Sequence, residues 1–436
     1  MWNLFSNSYG FNFSSYNHFI FLQRLMKSKN RYYFFIILIL GSLATISPFS
    51  IDMYLPGFPA IAIDLHTSID KVQLSLTSYL IGIALGQLLY GPLLDRFGRK
   101  IPLYIGLIIY ILASIGCAFT ESVNSLIAMR FLQAIGGCAG IVAAQALVRD
   151  IFPVNKTAQA LSLIILVIAV SPMVAPTLGA YTTAVFGWHS IFIILAIITL
   201  GILIAVYFFL PTGKAPDPSM SLMPAAVIKN FYSVFRNSQF FIYTLAGGLA
   251  TAAPFAYIAG SSDVFMNIYG VSEKEYGWIF AFLAFAMIGS TQLNHFLLKK
   301  FKSEEIIKVA LFYQTIIGTL MVLGIYNNWF GLLSLIGMLF IFLTGQGLIG
   351  PNTAALSLAP FSKQAGSASA LMGSWRLGAG GIISALVSVL HNTTAMPMIA
   401  VMFGCAFISL IILLTGTKVV THREKKLVLQ QKAVLG

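Results

Sequence analysis

Three ionisable residues interrupt long apolar stretches of this chain: Asp52, Arg130 and Arg376. A charge placed in lipid costs at least ~2.5 kcal/mol, so each is a functional hypothesis by default. Asp52 lies in Ser47-Pro48-Phe49-Ser50-Ile51-Asp52-Met53-Tyr54-Leu55-Pro56, near the end of the first apolar run. A carboxyl deprived of water in a central cavity can exchange protons near neutral pH, which is what proton coupling requires. The plainer reading is a helix-end acid that reaches the outer surface. Arg130 needs a partner at its depth. Helical rise puts it and Asp52 at similar levels, roughly 6–10 Å inside the outer boundary. Either Asp52 or a network of carbonyls and waters would serve, and Gln133 shares the face of Arg130 one turn deeper. A purely structural ion pair is the bland alternative. For Arg376 three readings stand: it snorkels, pairs with a carbonyl of the tenth helix, or selects an anionic substrate group.

Other polar span positions, Asn352, Gln87 and Gln292, either bond neighbouring helices or line a cavity. Tyr54, Tyr257 and Phe255 are candidate cavity aromatics, although aromatics in spans more often pack or form an interface belt. Asp263 is expected to be solvated at an outer helix end. No G-x-x-x-x-G-K-[ST] loop is present, so ATP is not the direct energy source. Cys117, Cys138 and Cys405 all fall in apolar runs and read as small core hydrophobes, not as a disulfide or metal set. The six histidines have no ligand spacing. No catalytic group, cofactor or metal is expected.

The elements that must position these residues follow from composition. The chain has 436 residues, 58% of them hydrophobic and 9% charged, with a mean hydropathy of +0.87. A soluble domain carries about a quarter charged residues, so this class is excluded. Long continuous apolar runs read as membrane-spanning helices, since lipid offers backbone groups no partner, and a barrel would need short alternating strands. Twelve spans are expected, at 32–55, 73–94, 101–119, 124–147, 158–181, 189–210, 240–262, 276–298, 305–326, 331–358, 367–390 and 396–416. An even number puts both termini on one side. Of the 26 Lys and Arg residues, all but Lys71, Lys274, Arg130 and Arg376 fall in tails and loops on that side. By the positive-inside rule that side is cytoplasmic. The +13 net charge is therefore topology, and no loop is long enough to build a nucleic-acid face.

Residues 1–31 form a polar cytoplasmic tail without the layout of a cleaved signal, and the first 25 carry no functional weight. A proline-containing linker at 211–239 divides a first six-helix half, 32–210, from a second, 240–416, and 417–436 is a cytoplasmic tail. Gly91-Pro92-Leu93-Leu94-Asp95-Arg96-Phe97-Gly98-Arg99-Lys100 ends in a charge cluster, a short polar loop between two apolar spans. Lys299-Lys300-Phe301-Lys302 occupies the corresponding place in the second half, with its Gly and Asp lost.

The pattern G-x-x-x-D-R-x-G-R-K resembles the loop between the second and third helices of major facilitator superfamily transporters. Ser171-Pro172-Met173-Val174-Ala175-Pro176-Thr177-Leu178-Gly179-Ala180 resembles the helix-5 antiporter motif of drug exporters of that fold, with Ala175 and Ala180 in place of glycines. Trp188-His189-Ser190-Ile191-Phe192 resembles the start of its sixth helix, with His189 a departure. The Asp52 segment, Arg130-Phe131-Leu132-Gln133-Ala134-Ile135-Gly136-Gly137, Val148-Arg149-Asp150, Gly350-Pro351-Asn352-Thr353-Ala354 and Ala365-Gly366-Ser367-Ala368-Ser369-Ala370 together resemble the bicyclomycin-resistance (Bcr/CflA-type) exporters, over about 35–415. The resemblance implies a monomeric all-α carrier that exports drugs or related small molecules from a bacterial inner membrane in exchange for protons. It assigns Asp52, Arg130 and Gln133 to proton coupling. It makes Gly91, Asp95, Arg96, Gly98, Arg99 and Lys100 a conformational latch, with Asp95 docking on the N-terminus of the eleventh helix, where the dipole favours an anion. Pro172, Pro176 and Gly179 carry the antiporter motif. Beside the resemblance, Tyr54, Tyr257, Asn352 and Arg376 are candidates to join Asp52 around the substrate, Arg376 being a departure from the neutral polar residue it leads one to expect there.

A proton-linked importer on the same fold is the nearest rival, because fold alone does not fix direction. A multispan enzyme would need a nucleophile or acid–base cluster at one membrane face. The charge cluster Asp95–Lys100 lacks a His, Cys or Ser nucleophile.

Overall fold

The computed structural model describes residues 29–218, 231–361 and 365–435. Twelve helices among them are long and apolar enough to cross a membrane, and no strand occurs in the described residues. Helix α1 (Lys29–Asp52) is followed by a 3-10 turn at Leu55–Gly57 and a short helix, Phe58–Asp64, that completes the first crossing. The others are α2 (Ile69–Arg96), α3 (Lys100–Ala118), α4 (Val123–Ile151), α5 (Val154–Phe186), α6 (His189–Phe209), α7 (Ser238–Ser262), α8 (Glu273–Leu297), α9 (Ser303–Tyr326), α10 (Leu332–Leu358), α11 (Ala365–Val389) and α12 (Met396–Leu435). A π-helical turn at Asp263–Ile268 prolongs α7.

Every predicted span has its helix. The helices overrun the apolar stretches, as where 158–181 becomes Val154–Phe186. Hydropathy marks only the part that must lie in lipid, whereas backbone hydrogen bonding continues into the polar flanks. Likewise α12 runs on through most of the predicted tail at 417–436. Residues 1–28 of the predicted N-terminal tail and 219–230 of the predicted linker lie outside the described residues.

Helix α4 is the hub of the first six spans, packing on α1, α2 and α3. Its glycines explain how. A Cβ on Gly140 would fall 2.6 Å from the Leu43 carbonyl oxygen of α1, and one on Gly136 would overlap the backbone of Gly106 and Tyr110 in α3. Where lipid replaces water outside a bundle, such close backbone approach supplies the packing that holds helices together. The outward faces carry exposed Leu, Ile and Phe, such as Ile105 and Leu112 of α3. They read as lipid-facing surface.

The first six spans meet the last six along two seams, α2 against α11 and α5 against α8. On the face opposite the termini both seams are closed by hydrogen bonds. Thr77 donates to Ser384 (3.0 Å), Ser388 to the Asp70 carbonyl (2.5 Å) and Thr177 to the Gly277 carbonyl (3.4 Å).

Candidate functional site

Helix α1 ends at Asp52, and its last carbonyls have no partner within the helix. One of them, the Ser50 oxygen, accepts a hydrogen bond from Arg130 Nη2 at 3.0 Å. A helix C-terminus favours a cation, so the guanidinium sits where the dipole helps to hold it. Arg130 Nη1 donates to Gln133 Oε1 at 2.7 Å, the pairing that their spacing on α4 anticipates. Gln133 Nε2 passes the chain on to Ser114 Oγ (2.7 Å), which donates to the Tyr110 carbonyl (2.7 Å) on α3. The Tyr110 hydroxyl returns to Ser50 Oγ, closing a polar ring between α1, α3 and α4.

Aromatic faces complete the enclosure. The Arg130 guanidinium carbon lies 4.1 Å from the Tyr79 ring centroid, 4.5 Å from that of Tyr54 and 5.8 Å from that of Phe192. Desolvated contacts of this type can be worth about 2 kcal/mol or more. Arg130 is wholly buried, and only its Nε lacks a partner. Of the two partners open from sequence, the carbonyl is the one realised. No ion pair joins Arg130 to Asp52.

Asp52 turns the other way. It is 4% exposed, and no hydrogen bond or ion pair falls to it among the described residues. Its electrostatic neighbours are the phenols of Tyr257 on α7 and Tyr276 on α8. Tyr276 is bonded to Ser261 at 2.8 Å, whereas the buried Tyr257 hydroxyl has no partner. The turn that follows Asp52 packs on both of those helices and on α5. There Gly179 abuts the Met53 carbonyl so closely that a Cβ would overlap it. Pro172 and Pro176 lie in the same helix, and the two alanines that stand in for motif glycines, Ala175 and Ala180, are both fully buried. The carboxyl thus lies where the end of α1 meets the last six spans.

The other predicted residues are dispersed. Tyr54 is enclosed, its hydroxyl 2.8 Å from Ser75 Oγ and its ring on Arg130. Asn352 of α10 is 2% exposed and donates to Asn294 Oδ1 of α8 (2.6 Å) and to the Leu348 carbonyl (2.7 Å). Arg376 keeps accessible surface and is considered below. Asp263 is buried, not solvated: it bonds His391 (2.8 Å) and Asn267 (2.8 Å) at the end of α7.

The charged loop forms a second polar centre at the face of the termini. Arg99 donates to Asp95 Oδ1 (2.6 Å) and, through Nε, to Asp150 Oδ2 (2.7 Å) at the end of α4. Burial alone would lower the basicity of Arg99, but its bonds to Asp150 and Asp95 outweigh that and raise it. The segment after α6 straps across this centre. The Lys214 N–H donates to Asp150 (2.9 Å), the Asp217 N–H to the Asp95 carbonyl (3.1 Å), and Pro216 lies on Gly98. Gly98 has a φ of 79°, a conformation open to glycine and strained for other residues. Asp95 is thus paired within its own loop. Sequence reasoning did not find Tyr79, Phe192, Ser50 or Ser114, nor did it give Asp150 a role. Asp150 could have been found as the acid nearest the inner end of α4.

Comparison with known proteins fits this build. The Major Facilitator Superfamily model matches residues 40–385. A bicyclomycin resistance protein homolog from Haemophilus influenzae is 33% identical over 378 residues, 87% of this chain and 95% of its own. An uncharacterised MFS-type transporter from Bacillus subtilis is 36% identical over 379 residues, 85% of this chain and 92% of its own. Multidrug resistance protein MdtL of Escherichia coli is 28% identical over 389 residues, 88% and 96% of the two chains. Among solved structures, a bacterial homolog of the human lysosomal transporter Spinster superposes with a TM-score of 0.70 at 16% identity, covering 90% of this chain and 98% of that one. With twelve spans, a buried arginine network on α4 and a charged loop between α2 and α3, the chain is a membrane transporter, not an enzyme, and belongs to the Major Facilitator Superfamily.

Proposed function

We propose that the chain exports drugs or related small amphipathic compounds across a bacterial inner membrane in exchange for protons. Both termini would lie in the cytoplasm, as the distribution of Lys and Arg requires. The two halves, 32–210 and 240–416, would rock about the cavity between them while the 211–239 linker joins them, the plan expected of duplicated halves with a midplane site. One observation carries the reading. Asp52 is enclosed and unpartnered beside α7 and α8, and two residues before it the Ser50 carbonyl holds Arg130. Protonation at Asp52 would therefore be felt at once by the last six spans and, through two residues of backbone, by the Arg130–Gln133 network. Drug and proton would compete for the cavity, and Asp95 with its basic neighbours would govern which way it opens.

The experiment uses purified protein in liposomes under an imposed pH gradient, with chloramphenicol as probe. Asp52→Asn should lose gradient-driven accumulation but keep exchange of labelled for unlabelled chloramphenicol. Full gradient-driven transport by that variant would falsify the assignment. In everted vesicles, accumulation on acidifying the interior identifies an exporter, and its absence favours the importer.

A further inference from the structure

Arg376 is the one arginine in the apolar middle of a span for which the fold supplies no partner among the described residues. No ion pair or hydrogen bond falls to it. The nearest-placed acid in depth, Asp52, faces tyrosines on α7 and α8.

The register of α11 shows where Arg376 points. Its lipid face is marked by Ile382, Leu386 and Val389, which are 56%, 42% and 77% exposed. Six residues separate Arg376 from Ile382, which turns it about 120° away from that face. Close contacts fix the helix's rotation. Gly373 abuts Gln87 of α2, whereas Trp375 lies against Gly248 and Gly380 against Phe255, both on α7. Around the helix Arg376 falls between Trp375 and Gly380, on the side turned towards α7 and the bundle. Towards the far face the same side of the helix is closed, with Ile383 and Val387 buried. At Arg376 it is open, and the residue is exposed. Exposure inside a bundle means an accessible internal wall, so snorkelling to the surface and pairing with a carbonyl of α10 are both unnecessary.

We propose that Arg376 is the specificity-determining residue of the transport cavity and takes the carboxylate of a monoanionic amphipathic substrate. The inference rests on the export reading above and narrows it to a chemical class. A guanidinium offers a rigid donor fork that fits a carboxylate with two parallel hydrogen bonds, and among the described residues nothing competes for it. The remainder of the substrate would lie on apolar walls, as small-molecule sites generally provide.

The test compares fusidate, a carboxylate, with chloramphenicol, which is neutral. Binding of each labelled compound to the purified full chain in nanodiscs is measured by equilibrium dialysis. For Arg376→Gln the ratio of fusidate to chloramphenicol affinity should fall at least about tenfold, the scale of lost hydrogen bonds to a charged group. Arg376→Lys should recover much of that ratio by keeping the charge. A variant that merely disturbs the cavity would move both probes together and leave the ratio unchanged, which overturns the proposal. So does failure of Arg376→Lys to exceed Arg376→Gln, or wild-type protein that binds chloramphenicol and no fusidate. Wild-type protein that binds neither overturns the drug-export reading itself.

Discussion

Arg130 and Arg376 carry the same side chain within a membrane span, and the molecule treats them in opposite ways. Arg130 is sealed by a carbonyl at the end of α1, by Gln133 and by three aromatic faces. Arg376 has accessible surface and no partner among the described residues. A charge within a span is therefore two different signals. Where every donor is met from within, the charge is part of the scaffold that other groups act through. Where donors are left open to a cavity, something from outside is expected to meet them. The rule that intramembrane charges mark function is sharpened by counting partners.

The contrast can be broken by stability measurements. Arg130→Leu should have the largest effect. It strands the Ser50 carbonyl and the Gln133 side chain, and loss of two charge-assisted hydrogen bonds predicts destabilisation of about 3–5 kcal/mol. Thermal unfolding in detergent reads this, and a melting temperature within a few degrees of wild type would mean that the network is not structural. Tyr79→Leu removes the nearest aromatic face, so about 2 kcal/mol should be lost while Arg130 stays in place. Asp95→Asn leaves a half-exposed ion pair incomplete and should cost under about 1 kcal/mol. Its signature lies in transport assays, where turnover should drop more than chloramphenicol affinity. Equal loss of both would remove the distinction between latch and cavity. Arg376→Gln should be the mildest, within about 0.5 kcal/mol of wild type. Destabilisation on the scale of Arg130→Leu would show that Arg376 is built in after all, and the comparison would collapse.

The span positions were legible because the membrane imposes one constraint on every crossing, and apolar runs of sufficient length report it directly. Arg130 with Gln133 was legible too, since three residues on a helix make one face. The rest of the enclosure was not. Ser50, Tyr79, Ser114 and Phe192 come from four other helices, and a single sequence gives no signal that these side chains converge. The open question of whether Arg130 meets Asp52 also turned on tertiary detail. The end of α1 two residues after Ser50 frees a carbonyl, and the arginine takes it. Asp263 was misjudged for a related reason. A helix end looks solvated from sequence, but His391 arrives from the loop after α11 to cover it.

The strap after α6 changes how the chain could be divided. Lys214, Pro216 and Asp217 close over Asp150, Gly98 and Asp95, so the first turn of the connection belongs structurally to the spans that precede it. A gene cut beyond codon 218 would leave this cover attached to the first fragment, whereas a cut before codon 211 would hand it to the second. Two-fragment versions of the protein should therefore assemble unequally, with the later break giving the better-behaved pair.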